Sequence, residues 1–158
     1  MNFIKKIKNY NLKSKTTKQQ FSISEYEQLN NCTNEHPLFS FDEQEKLCKI
    51  VDVYDGDTFT ACFYHGNEII KYKCRANGYD SPEMRPRLNN PNREMEKTRA
   101  KEARQKFIEF SNCKNDLVKV KFGKFDKYGR ILAEVYNNTT NIHINQLMID
   151  ENFGYKYN

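Results

Sequence analysis

The spacing of the apolar residues changes from strand-like to helical, back to strand-like and then to helical again, and that order limits the fold more than any other feature. From Lys49 the pattern is that of strands. Ile50, Val51 and Val53 make a short strand that stops at Asp55-Gly56, a strong turn signal. Thr58 to Tyr64 is rich in β-branched and aromatic residues, and His65-Gly66-Asn67 reads as a second turn. Ile70, Tyr72 and Cys74 alternate with Lys71, Lys73 and Arg75, which marks a half-buried strand and turns Arg75 away from the core set. Gly78, Pro82, Pro86 and Pro91 make residues 76–92 a loop. From about Arg93 to Asn112, Ala100, Ala103, Phe107 and Phe110 recur at helical steps. Leu117 to Phe122 and Ile131 to Tyr136 return to strand character, with a loop from Gly123 to Gly129 between them. Ile144, Leu147 and Met148 predict a short closing helix ended by Gly154. Three strands, a helix, two strands and a helix, all short, suit a small closed or nearly closed barrel better than a parallel sheet.

The preceding residues, 1–45, are polar and without sustained period, so they read as a basic extension ahead of a domain at 46–158. The net charge of +5 sits there. Lys5, Lys6, Lys8, Lys13, Lys15 and Lys18 face no acid within residues 1–20, which leaves 20 basic against 21 acidic residues in the remainder. Such an arm can touch a polyanion or an anionic membrane weakly, and Phe3, Ile4 and Ile7 suit a short amphipathic helix. A solvated disordered tail is the simpler expectation. No apolar run approaches the roughly 20 residues of a membrane span, and the N-terminus has no signal-peptide core. The expectation is therefore an intracellular, cytoplasmic monomer. Five cysteines, an odd number without a CxxC, suggest neither a disulfide framework nor a zinc site, only buried or half-buried free thiols. His65 and His143 lack a paired acid or serine at suggestive spacing and read as turn and surface residues.

Three short segments carry chemistry: Asp55-Gly56-Asp57-Thr58, Arg75 with Asp80-Ser81-Pro82-Glu83, and Asp126-Lys127-Tyr128-Gly129-Arg130. Each alone is an ordinary turn, loop or helix start. Together they answer a demanding problem. Hydrolysis of a phosphodiester needs an activated water and positive charge around the five-coordinate phosphorus, and enzymes lower such barriers by roughly 8–23 kcal/mol. Asp57 and Asp80 offer hard carboxylate oxygens, which favour calcium or magnesium over zinc. Glu83 is a further carboxylate, able to orient or deprotonate water. Arg75 and Arg130 offer planar donor forks that fit phosphate oxygens in pairs.

These segments, in this order, resemble the signature of the staphylococcal nuclease (thermonuclease) family, over about residues 46–157. The resemblance implies a five-stranded OB-fold barrel with about three helices, of α+β or mostly β class, and calcium-dependent cleavage of DNA and RNA, preferentially single-stranded, to 3′-phosphate ends. It implies one calcium ion held by Asp57, Asp80 and the Ser81 carbonyl, with Asp55 behind them. It makes Glu83 the general base, and Arg75 and Arg130 the stabilisers of the transition state. Lys127 and Tyr128 match residues at the flanking phosphate, and Tyr155 or Tyr157 the aromatic beside the nucleotide. Ser81 stands where threonine is frequent, and the 84–94 loop carries Arg85, Arg87 and Arg93 in place of the family's lysine-rich contacts. A barrel of this type also serves as a silent module that binds nucleic acid or protein, but such a copy needs neither the acids nor the arginines. A third reading makes the lysine arm the business end, with a membrane or a larger complex as its partner.

Overall fold

The computed structural model of the chain describes residues 22–156. The Lys5–Lys18 arm, the Phe3/Ile4/Ile7 helix and Tyr157 lie outside the described residues. The chain divides at Leu38/Phe39. In the first unit, helix α1 (Ile23–Asn30) starts at a capping box: Glu25 N–H donates to Ser22 Oγ at 3.0 Å, and Ser22 N–H to Glu25 Oε2 at 2.6 Å. None of its residues is buried.

The second unit is a closed barrel. Strands β1 (Glu45–Val53), β2 (Thr58–His65), β3 (Glu68–Ala76), β5 (Val118–Phe125) and β6 (Ile131–Asn137) close in the order β1-β2-β3-β6-β5. All pairings are antiparallel except β3 with β6, which spans only Cys74–Ala76 against Ile131–Ala133. Closure gives each strand an inward row, while residues 68–73 of β3 run past the short pairing with β6. Phe59, Phe63, Cys74, Val120, Phe122, Ile131 and Val135 fill the inside, each at most 2% exposed. Phe41, within the stretch read as extension, is 2% exposed and meets the Phe63 and Phe122 rings at 5.4 and 5.7 Å. Helix α2 (Arg93–Ser111) buries Ala100, Ala103, Phe107 and Ile108, and α3 (Ile144–Asp150) buries Ile144 and Met148. Two-residue strands β4 (Tyr79–Asp80) and β7 (Tyr155–Lys156) pair with each other outside the barrel.

The sequence-based barrel and its helices stand, with longer strands at both ends of the pattern. Gly154 plays a different part from the one expected: α3 stops at Asp150, and the left-handed residue beyond it is Asn152, φ 62°. His143 is not a plain surface residue. Its ring stacks on Tyr136 at 4.7 Å, and partial burial holds its pKa below the ordinary histidine value. All five cysteines are free; Cys48, Cys74 and Cys113 are buried and Cys62 half-buried, but Cys32 is exposed. No helix among the described residues is long and apolar enough to cross a membrane.

Candidate active site

The site begins where β1 turns into β2. Asp55 accepts the N–H groups of Asp57 (3.1 Å) and Thr58 (2.7 Å) on Oδ1, so its side chain folds the turn that presents Asp57. Gly56 is required here for space and not for a left-handed conformation. A Cβ on it would lie 2.8 Å from Ser81 Cβ and 2.9 Å from Ala103 Cβ. The turn is therefore pressed between the loop after β4 and helix α2. Its outer support is Tyr79, fully buried, whose hydroxyl donates to the Gly56 carbonyl at 2.5 Å.

Asp57, 3% exposed, takes three donors: Ser81 N–H on Oδ2 at 2.7 Å, and Thr58 Oγ1 (2.9 Å) and Arg75 Nη1 (3.0 Å) on Oδ1. Arg75 comes from the outward row of β3, opposite Thr58 on β2. Its Nη2 donates to an Asp80 carboxylate oxygen. One guanidinium thus bridges Asp57 and Asp80, and those two carboxylates converge on a single cationic point. Arg130 approaches from the other flank. Its Nε donates to Asp126 Oδ2 at 2.7 Å and its Nη1 to Thr58 Oγ1 at 3.3 Å, while its face lies 5.4 Å from the Tyr128 ring centroid. Thr58 hence links the two arginines through Asp57. Asp126 also accepts the Arg130 and Tyr128 N–H groups. Partial burial works to raise its carboxyl, but these donors outweigh it and hold the group below the usual carboxylate range.

Arg75, Asp57, Asp80, Ser81, Glu83 and Arg130 line one cavity of about 400 Å³, together with Asp55, Thr58 and Lys73. Glu83 is exposed, and its N–H is held by Glu96 Oε1 from α2 at 3.1 Å, so its side chain is presented at the rim. A neighbouring hollow of about 530 Å³ shares Arg75, Asp80 and Arg130 and adds Lys127 and Tyr128, both exposed. Tyr155 sits opposite Asp80 in the β4–β7 pair, with Arg99 5.6 Å from its ring centroid.

Hard oxygens of Asp57 and Asp80 are the pair able to share a divalent cation, with the Ser81 backbone beside them. The fit is to a shallow site: among the described residues no three His, Cys, Asp or Glu side chains form a metal-holding group. An ion there must complete its six to eight oxygen ligands from water or a bound phosphate.

Burial, and behind it the Asp57 carboxylate alongside, push the Asp55 carboxyl up to about 6 from its ordinary 3.8, against the pull of the two N–H groups it accepts. A raised carboxyl contributes stability that is full below about pH 4 and lost as pH rises through 6. Asp55→Asn keeps an accepting oxygen and removes the charge. In chelator, its stability relative to the parent should therefore improve between pH 4 and 7, by on the order of 2 kcal/mol. Urea melts across that range measure it, and a flat difference would contradict the cause assigned here.

Sequence reasoning assigned no part to Thr58, Tyr79, Glu96 or Lys73. Thr58 stands inside a segment already singled out, and Tyr79 is an isolated aromatic in a Gly/Pro-rich loop, so both carried a signal. Glu96 carried none, because only the packing of α2 brings it to Glu83.

The model of the staphylococcal nuclease homologues matches residues 73–157, more than half of the chain. The match holds Arg75, Asp80, Ser81, Glu83, Lys127, Tyr128 and Arg130 and begins after Asp55 and Asp57. A comparison with curated proteins finds no match. The matched family is of nuclease type, with nucleic acid as its ligand class. With that match over more than half of the chain and a closed five-stranded barrel, the chain belongs to the family of staphylococcal nuclease homologues.

Proposed function

We propose that this protein is a calcium-dependent nuclease that hydrolyses the phosphodiester bonds of single-stranded DNA and RNA to 3′-phosphate products. The observation that carries this reading is the convergence of Arg75, Asp57, Asp80, Glu83 and Arg130 on one cavity.

Asp57, Asp80 and the Ser81 carbonyl would hold a calcium ion, which would supply positive charge to a phosphate oxygen. The remaining work falls to side chains. Arg130, anchored through Nε to Asp126, has an Nη2 without a partner among the described residues and offers it to an equatorial oxygen. Arg75 opposes it from β3, and with a cation offsetting the charge of Asp57 and Asp80 its fork would turn to phosphate. Two guanidinium groups then face charge that grows only in the transition state, where such donors act most strongly. Glu83 at the rim orients a water and takes its proton. Lys127 and Tyr128 hold the next phosphate, and Tyr155 or Tyr157 lies along the base.

The test is digestion of a plasmid, its denatured form and an RNA in calcium, magnesium or chelator. Cleavage in calcium is expected, faster on denatured DNA and RNA than on duplex, and abolished by chelator. Glu83→Gln should cut about 10²–10⁴-fold more slowly with an unchanged melting temperature. Binding without cleavage by the parent in calcium would favour the silent barrel instead.

A further inference from the structure

The outward face of the β2–β3 hairpin carries a row of groups that the chemistry above does not use. Strand alternation points Arg75, Lys73, Lys71 and Ile69 out of β3, and the register sets them opposite Thr58, Thr60, Cys62 and Tyr64 of β2. Arg75 is in the catalytic cavity and Lys73 lines the same cavity wall. Lys71 follows about 13 Å from Arg75 along the strand, and the Tyr64/Ile69 pair about 20 Å away, at 3.3 Å per residue. Lys71 and Lys73 are exposed, and neither makes an ion pair among the described residues. Tyr64 and Ile69 are 62% and 64% exposed, large apolar groups side by side at the end of the row. β3 meets β6 only over Cys74–Ala76, so Lys71 and Lys73 lie beyond that pairing and border open solvent. Arg75, which opens the row, is paired with Asp57 and Asp80, and Asp52 stands opposite Thr60 on the other side of β2, where it offsets part of the Lys73 charge.

We infer that this row is a track for single-stranded nucleic acid leaving the catalytic cavity, with Lys73 and Lys71 on successive phosphates and Tyr64 under a base. The inference rests on the nuclease reading for what occupies the cavity, and extends it to where the rest of the strand runs. A single row of cations, one side chain wide and ending on an aromatic, suits one strand. A duplex would present two phosphate rows to it. Charge complementarity selects a polyanion over a neutral peptide, and the exposed ring selects one with bases to stack.

Binding is measured with the full chain in chelator, which stops cleavage, on a labelled single strand of about a dozen nucleotides and on a duplex of the same length. Lys71→Gln is expected to weaken single-strand binding and to reduce the salt slope by about 0.7. Tyr64→Ala should weaken it about tenfold with the slope unchanged. Lys101→Gln, an exposed lysine on α2, controls for loss of charge alone. An unaltered slope for Lys71→Gln overturns the track, and so does an equal loss on the duplex or an equal loss from Lys101→Gln. Cleavage by the parent in calcium is scored on the same preparation. A parent that binds through Lys71 and Tyr64 but does not cut refutes the reaction and keeps the track; one that cuts while ignoring both residues refutes the track and keeps the reaction.

Discussion

Arg75→Ala is expected to slow phosphodiester cleavage by about 10²–10³-fold, the loss typical of removing one preorganised donor to a developing anion. It should also destabilise the protein in chelator. Arg75 Nη1 lies 3.0 Å from Oδ1 of the buried Asp57, and its Nη2 pairs with Asp80. Deleting that side chain leaves two converging carboxylates with no cation between them. Thr58 Oγ1 and Ser81 N–H still reach Asp57, which softens the loss but adds no positive charge. Breaking a buried pair by removing one partner typically costs about 3–5 kcal/mol, and Asp80, being exposed, contributes the smaller share. The two effects separate by metal. Calcium added to the variant should recover most of the lost stability and little of the rate, since the ion can neutralise the carboxylates but cannot replace a fork on phosphate. Thermal melts with and without calcium, beside single-turnover rates, read both. A variant whose melting temperature matches the parent in chelator would show that the guanidinium is not what keeps Asp57 and Asp80 together. Arg75→Lys should keep part of the stability and lose most of the rate, because an ammonium makes a point contact where a planar fork makes two.

The barrel was legible because its strands are half-buried. β3, β5 and β6 alternate over most of their length, as Tyr72 and Cys74 do against Lys73 and Arg75, and that period leaves one interpretation for the inner row; β1 breaks it at a bulge between Ile50 and Asp52. The Arg93–Ser111 helix was legible from Ala100, Ala103 and Phe107 for the same reason. The three charged segments could be named, and the outward parity of Arg75 deduced, from spacing alone. Other parts were not legible. Phe41 belongs to the core, yet it lies in a stretch with no period, because one aromatic plugging a barrel end needs no partner in sequence. Gly56 looked like a turn glycine, and Gly154 like a helix cap. Both are held by close approach of residues far away in the chain, and pattern reasoning has no access to such contacts. The β4–β7 pair, two residues on each side, is below the length at which alternation can be seen. The bridging of Asp57 and Asp80 by Arg75 is likewise a property of three-dimensional convergence. The sequence shows only that a fork and two acids are present.

Gly154→Ala is expected to be the most damaging of small substitutions outside the cavity. A Cβ at Gly154 would stand 2.9 Å from Cε2 and 3.1 Å from Cγ of Tyr79, and closer still to Cδ2. Its backbone is not left-handed, so the harm is wholly steric. The ring has nowhere to go. Its hydroxyl is tied to the Gly56 carbonyl at 2.5 Å, and Gly56 is itself packed against Ser81 and Ala103 with no room for a methyl group. Overpacking at a site that cannot relax costs about 1–3 kcal/mol or more, and the melting temperature should fall accordingly. The strain also has a direction. Tyr79 and Asp80 form β4, and β7 with Tyr155 begins at the residue after Gly154, so a displaced ring moves Asp80 relative to Asp57. A misplacement of about 1 Å in a catalytic array can cost on the order of 10²-fold in rate, so cleavage should fall even at temperatures where the variant remains folded. Gly154→Ala combined with Tyr79→Leu separates the causes. The smaller side chain removes the clash, so the double variant should be more stable than the sum of the two single losses predicts. It should still cut slowly, because the hydroxyl that holds the Gly56 turn is gone. Additive losses in stability, or a parental rate in Gly154→Ala, would mean that the C-terminal turn does not support the acid-bearing loop at all.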